Sequence, residues 1–130
     1  PIIFGDGEQS RDFTYIDDAV EGILRTFDKV ATPDPAWNPE APNPATSSAP
    51  YRIYNIGNNN PVQLLDYIAV IEKEVGKKAV MEMVAAQPGD VPETYADVDA
   101  LTKATGFTPS TPIEEGVKRF VAWYRDYYRV

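Results

Sequence analysis

Apolar and polar positions along the chain fall into blocks whose period changes from one to the next. Ile2, Ile3 and Phe4 form a short apolar run ended by Gly5-Asp6-Gly7, which predicts a strand followed by a turn. Phe13, Thr14, Tyr15 and Ile16 are β-prone and predict a second strand. Asp17 and Asp18 then open an amphipathic helix in which Val20, Ile23, Leu24 and Phe27 recur at helical spacing, with the carboxylates at the positive end of the helix dipole. Between residues 31 and 50 the periodicity stops. Six prolines interspersed with Ala, Asn, Ser and Thr predict a long surface loop, a lid or contact surface on one reading and a plain insertion on the other. With few anchors beyond Trp37, this loop is expected to be the most mobile part of the chain.

Residues 51–56 restore alternation and predict the clearest strand, with Tyr51, Ile53 and Asn55 on one face and Arg52, Tyr54 and Ile56 on the other. Gly57-Asn58-Asn59-Asn60 reads as a turn. Asn60 is expected to cap the next helix, with Pro61 at its first position and Gln63 completing a capping-box-like pair. That helix carries Leu64, Leu65, Ile68 and Ile71 and should stop at Gly76. Residues 79–84 read as a strand, and the prolines of Gln87-Pro88-Gly89-Asp90-Val91-Pro92 make that segment extended or turning. A short helix is expected from near Asp97 to Gly106. Thr111-Pro112-Ile113-Glu114 reads as cap, first-position proline and third-position glutamate of a last helix burying Ile113, Val117, Phe120, Val121 and Tyr124. The order β, β-α, loop, β-α, β, α, α gives a mixed α/β class over residues 1–130, without internal repeats.

Composition narrows the chemistry. At 130 residues with 43% hydrophobic and 25% charged positions, the chain is long enough and apolar enough to bury a usable core. It has no cysteine and no histidine, which excludes disulfides, thiolate metal sites, a cysteine nucleophile and the usual general base near neutral pH. A net charge of −8 repels phosphate backbones, so nucleic acid is not an expected partner. No run approaches the roughly 18 to 20 apolar residues of a membrane span and no signal peptide is visible, so a soluble cytoplasmic protein without a membrane partner is expected. The chain opens at Pro1, without methionine and directly into a strand, which suggests processing or excision from a longer protein.

Gly5-Asp6-Gly7 lacks the third glycine and the following helix of a dinucleotide fingerprint and reads as a turn. No tyrosine is followed four positions later by lysine, so the tyrosine–lysine acid/base pair of short-chain reductases is not encoded here. Glu72, Glu74, Glu114 and Glu115 read as solvated helix-face charge. Arg11, between the glycine turn and a β-prone stretch, has two readings: a bidentate ligand for phosphate oxygens, or an ion pair with Asp12 or Asp17.

The run Gly5-Asp6-Gly7-Glu8-Gln9-Ser10-Arg11-Asp12-Phe13-Thr14-Tyr15-Ile16-Asp17-Asp18 resembles the extended short-chain dehydrogenase/reductase family, the NAD-dependent nucleotide-sugar epimerases and dehydratases. Tyr54-Asn55-Ile56-Gly57, Pro88-Gly89-Asp90-Val91, Thr94-Tyr95-Ala96-Asp97 and Gly106-Phe107-Thr108-Pro109 follow in the family's order, as does the terminal helix through Trp123 and Tyr124. The Pro-rich insertion running into Tyr51-Arg52-Ile53-Tyr54-Asn55-Ile56-Gly57 most resembles the UDP-glucuronate 4-epimerases.

The resemblance implies a C-terminal mixed α/β substrate-binding subdomain whose Rossmann half, absent here, holds NAD and supplies the catalytic tyrosine and lysine. It implies that Arg11 contacts the diphosphate of a UDP-sugar, that Gln9 lies near the same nucleotide and that Asp90 reaches its ribose or uridine side. Gln87 and Pro88 stand where the family often has a second arginine, which weakens a two-arginine clamp. The family reaction passes through a 4-keto intermediate, and homodimer pairing, common in the family, runs through helices of the Rossmann half. No catalytic or NAD-binding residue is expected within the chain, which should be inactive alone. A related 4,6-dehydratase, decarboxylase or other epimerase, or a non-catalytic nucleotide-sugar-binding module, are the alternative readings.

Overall fold

The computed structural model describes residues 1–130. Its elements are β1 (Ile2–Phe4), β2 (Ser10–Arg11), α1 (Ile16–Phe27), β3 (Val62–Gln63), α2 (Leu64–Val75), β4 (Glu82–Val84), α3 (Asp99–Thr105) and α4 (Ile113–Tyr128). The mixed α/β class expected from the pattern is the class observed. The strands make two small sheets. β1 runs parallel to β4, with Ile3 opposite Met83. β2 runs antiparallel to β3, with Ser10 opposite Gln63 and Arg11 opposite Val62. α2 packs against α4, and α1 against α3.

Several boundaries differ from expectation. The strand expected over 13–16 does not form; β2 lies earlier, and an extended Tyr15 (φ −73°, ψ 144°) leads straight into α1. The Asp12 N–H is taken by Thr94 Oγ1 at 3.0 Å, and the Phe13 ring stacks on Tyr67 with centroids 4.2 Å apart. Residues 51–56 keep the expected alternation, with Arg52, Tyr54 and Ile56 half-buried, but they are not a ladder strand. Only Arg52 pairs, in an isolated bridge to Thr46. Alternation makes a segment extended; a strand also needs a neighbouring backbone.

Asn60 does not cap α2. Val62 and Gln63 are engaged as β3, the Leu64 N–H donates to the Gln9 carbonyl at 2.9 Å, and the helix starts after Gln63 with no side-chain cap. Gly76 ends it in the left-handed conformation at φ 76°, as expected. The strand expected over 79–84 shortens to β4. The helix expected from Asp97 starts at Asp99, whose N–H donates to Asp97 Oδ1 at 3.0 Å. Thr111 does not cap α4. Its N–H donates to Asp18 Oδ2 at 2.8 Å, and Pro112 occupies the cap position.

The buried apolar side chains are Ile3, Val98, Leu101, Val117 and Val121. Of the stripe expected to be buried on α4, Val117 and Val121 are, whereas Phe120 is 57% and Tyr124 44% exposed. Val20, Ile23, Leu24 and Phe27 of α1 are exposed too, so the amphipathic face is real but uncovered. The core is therefore smaller than the length allows. Residues 31–50 carry no helix or strand but fold locally through side-chain turns. Asp34, Asn38 and Asn43 each accept a backbone N–H two residues on at 3.0 Å, and the Asp34 N–H donates to the Ser47 carbonyl at 2.8 Å. No helix is long and apolar enough to cross a membrane.

Candidate functional site

The site starts at the turn after β1. Gly5 (φ 80°) and Gly7 (φ 81°) are both left-handed, a conformation that strains any residue with a Cβ, and Leu65 sits 3.0 Å from where a Gly7 Cβ would be. The turn leads into β2 rather than into a helix N-terminus. It is therefore not a pyrophosphate cradle of the dinucleotide type.

Gln9 braces the turn, its Nε2 donating to the Phe4 carbonyl at 2.9 Å. Arg11 projects from β2 toward the 87–92 segment. One terminal nitrogen donates to the Ser10 carbonyl at 2.8 Å and the Pro92 carbonyl at 3.4 Å; the other meets Asp90 Oδ1 at 3.0 Å. The ion-pair partner is thus neither Asp12 nor Asp17. Asp17 faces Arg119 at 3.6 Å, and Arg119 also bonds Glu115 and lies over the Tyr15 ring at 5.4 Å. The structure brings Gln9, Arg11 and Asp90 together at one place. Gln87 is exposed and contributes only its carbonyl, which accepts the Asp90 N–H at 3.2 Å.

Beside this cluster lies an open cleft of about 430 Å³, walled by Phe4, Gly5, Asp6, Glu8 and Gln9 on one side and by Ala86, Asp90, Val91 and Pro92 on the other. Its lining carries three carboxylates and no cation. The adjacent cation is Arg11, whose guanidinium is held by Asp90. The apolar cavity of about 410 Å³ between α2 and α4 contains none of the predicted site residues.

Three residues, Asp12, Gly57 and Asp18, have roles that the sequence reading did not give them. The Asp12 carboxylate accepts the backbone N–H groups of Asn58, Asn59 and Ala96 at 3.1 Å and of Asn60 at 3.4 Å. Gly57 makes room for it: a Cβ there would stand 2.3 Å from Ala96 Cβ and 2.7 Å from Asp12 Oδ2. Asp18 accepts the Ser110 and Thr111 N–H groups. Nothing local in the sequence signals these contacts, because Asp12 lies 46 positions from the Asn-rich turn and Asp18 lies 93 positions from Thr111. Glu72, expected to be solvated charge, has a side chain only 10% exposed and clasps Lys78 and the Ala79 N–H. Those two bonds, Lys78 first, hold its carboxyl below the ordinary value of 4.5.

A family model described as GDP-mannose 4,6 dehydratase matches residues 1–120. A probable UDP-glucuronate 4-epimerase of Rhizobium meliloti (strain 1021) is 47% identical over 131 residues, covering 98% of this chain and 38% of that protein. Protein CapI of Staphylococcus aureus is 48% identical over 127 residues, with the same shares of each. The UDP-glucuronic acid 4-epimerase of Bacillus cereus, solved in complex with UDP-glucuronic acid and NAD, matches at a TM-score of 0.73 and 26% identity, over 98% of this chain and 35% of that one. The chain spans about 38% of the length of these curated relatives. It belongs to the GDP-mannose 4,6 dehydratase family, the nucleotide-sugar epimerases and dehydratases of the extended short-chain dehydrogenase/reductase class.

Proposed function

We propose that this chain is the UDP-sugar-binding part of a cytoplasmic, NAD-dependent nucleotide-sugar 4-epimerase that interconverts UDP-glucuronate and UDP-galacturonate. The observation that carries the reading is Arg11, a permanently charged fork at the edge of a cleft, with Gln9 and Asp90 beside it. In this reading Arg11 exchanges Asp90 for the diphosphate, Gln9 sits next to the nucleotide, Asp90 turns to its ribose or uridine side, and Gln87 borders the entrance. Similarity to proteins named as UDP-glucuronate 4-epimerases supports the choice of sugar.

The chain has no histidine, no cysteine and no tyrosine–lysine pair at four-residue spacing to move a proton at the sugar. NAD and the catalytic groups are accordingly assigned to sequence outside these residues, and the chain alone is proposed to be inactive. The uncovered apolar face of α1 supports that division, because a free-standing domain rarely leaves Ile23, Leu24 and Phe27 together in water.

The test is to incubate the full-length protein with UDP-glucuronate and separate the nucleotide sugars chromatographically. Accumulation of UDP-galacturonate to a fixed ratio, approached from either epimer, is expected. Release of carbon dioxide, or no conversion while another UDP-sugar is epimerised, would replace this reading with a different reaction in the same family.

A further inference from the structure

We propose that Asp12 is a positioning residue for Arg11, setting the guanidinium at the cleft by tying together the two backbone segments that flank it. The inference rests on the diphosphate-binding reading of Arg11 given above.

Arg11 lies in the middle of three neighbouring segments. On one side β2 pairs with β3, Arg11 opposite Val62. On the other, Ser10 N–H donates to the Pro92 carbonyl at 2.9 Å, the Thr94 N–H returns to the Ser10 carbonyl at 3.2 Å, and Ser10 bridges Glu93 in parallel. That second neighbour carries Asp90 and Pro92, the partners of the Arg11 side chain. Its position relative to β2 therefore decides where the guanidinium points.

The Asp12 carboxylate bonds to both flanks at once. Oδ1 accepts from Asn58 and Asn60, in the turn that leads to β3; Oδ2 accepts from Asn59 in the same turn and from Ala96 on the opposite side. The Asp12 N–H adds a bond to Thr94 Oγ1. A carboxylate has enough lone pairs for all four donors, and its charge strengthens each bond. An amide does not: either orientation of an asparagine would turn its NH₂ toward two backbone N–H groups. The absence of a Cβ at Gly57 is what lets Asp12 and Ala96 come this close. An aspartate acting only as a local turn residue would not join segments more than forty and more than eighty positions away.

The test uses the full-length protein and calorimetric titration of UDP against wild type, Arg11→Ala, Asp12→Asn and the double variant, with thermal melts of each. Asp12→Asn should raise the UDP dissociation constant about tenfold, one decade. In the Arg11→Ala background it should raise it no further, although it lowers the melting temperature in both backgrounds. Thr94→Val, which removes the acceptor for the Asp12 N–H and leaves the carboxylate in place, is the gentler variant should Asp12→Asn not fold. It should weaken UDP roughly threefold on the same scale, again only where Arg11 is present. A weakened Arg11→Ala with an unchanged Asp12→Asn, or additive losses in the double variant, overturns this inference alone. An unchanged Arg11→Ala overturns the diphosphate reading and this inference with it.

Discussion

Arg11 and Asp90, seventy-nine positions apart in sequence, meet at 3.0 Å and form the ion pair that borders the cleft. The Arg11 side chain is 26% and the Asp90 side chain 39% exposed, so water screens the pair. Arg11 also bonds the Ser10 and Pro92 carbonyls, neither of which belongs to Asp90. Asp90→Ala should therefore cost no more than about 1 kcal/mol of stability. Urea unfolding of the full-length protein measures it; a loss several times larger would mean that the pair holds the fold rather than the site.

Gly57→Ala should be far more damaging. The new methyl group would have to displace Ala96 or the Asp12 carboxylate, both within 2.7 Å of it. Overpacking alone costs about 1–3 kcal/mol, and the Asp12 bonds are lost in addition. The same unfolding measurement checks this, and a variant within about 0.5 kcal/mol of wild type, the range of an ordinary surface change, would contradict the hub.

Leu101 has no exposed surface at all, whereas Leu24 on the uncovered face of α1 is 58% exposed. Leu101→Ala should cost about 2–5 kcal/mol of stability. Denaturant midpoints at constant slope are the readout, and a cost below about 1 kcal/mol would show that the α1–α3 contact is not a core.

Glu72 gives the fold an acid-sensitive clasp. Its carboxyl lies below 4.5 in the folded protein because Lys78, and then the Ala79 N–H, bond the charged form. A depressed folded value contributes stability that is present above the unfolded value and disappears as pH falls through the folded one. Glu72→Gln should therefore lower the melting temperature at pH 7, and the difference should shrink as pH falls through the depressed folded value, where the wild-type carboxylate becomes protonated. A difference that persists undiminished into acid would remove the linkage.

Much of the fold could be read from pattern, and the errors share a cause. The helical stripes of α1, α2 and α4, the strand at Ile2–Phe4 and the stops at Gly76 and Gly106 depend on near neighbours, and they stand where the pattern put them. The caps expected at Asn60 and Thr111 failed because the helices start later, at Leu64 and Ile113, where contacts with distant segments such as the Leu64 N–H to the Gln9 carbonyl fix the entry of the chain. Residues 51–56 have the alternation of a strand but lack neighbours on which to build one. At the site, Arg11, Gln9 and Asp90 were named from family motifs and do converge, whereas Asp12 was read only as a possible partner of Arg11 and Gly57 only as a turn and motif residue. Their roles consist wholly of contacts across 39 to 84 positions, and no local spacing encodes those.

The central claim is that Arg11 is the diphosphate ligand, and calorimetric titration of UDP into the full-length protein, wild type against Arg11→Ala, tests it most directly. A charge-assisted hydrogen bond to a phosphate contributes about 1.5 to 3 kcal/mol. Its loss should raise the dissociation constant roughly tenfold to a hundredfold, at about 1.4 kcal/mol per decade. Arg11→Lys should recover only part of this, because an ammonium cannot reproduce the two-pronged contact. Equal dissociation constants for wild type and Arg11→Ala would contradict the claim and leave Arg11 as the structural partner of Asp90.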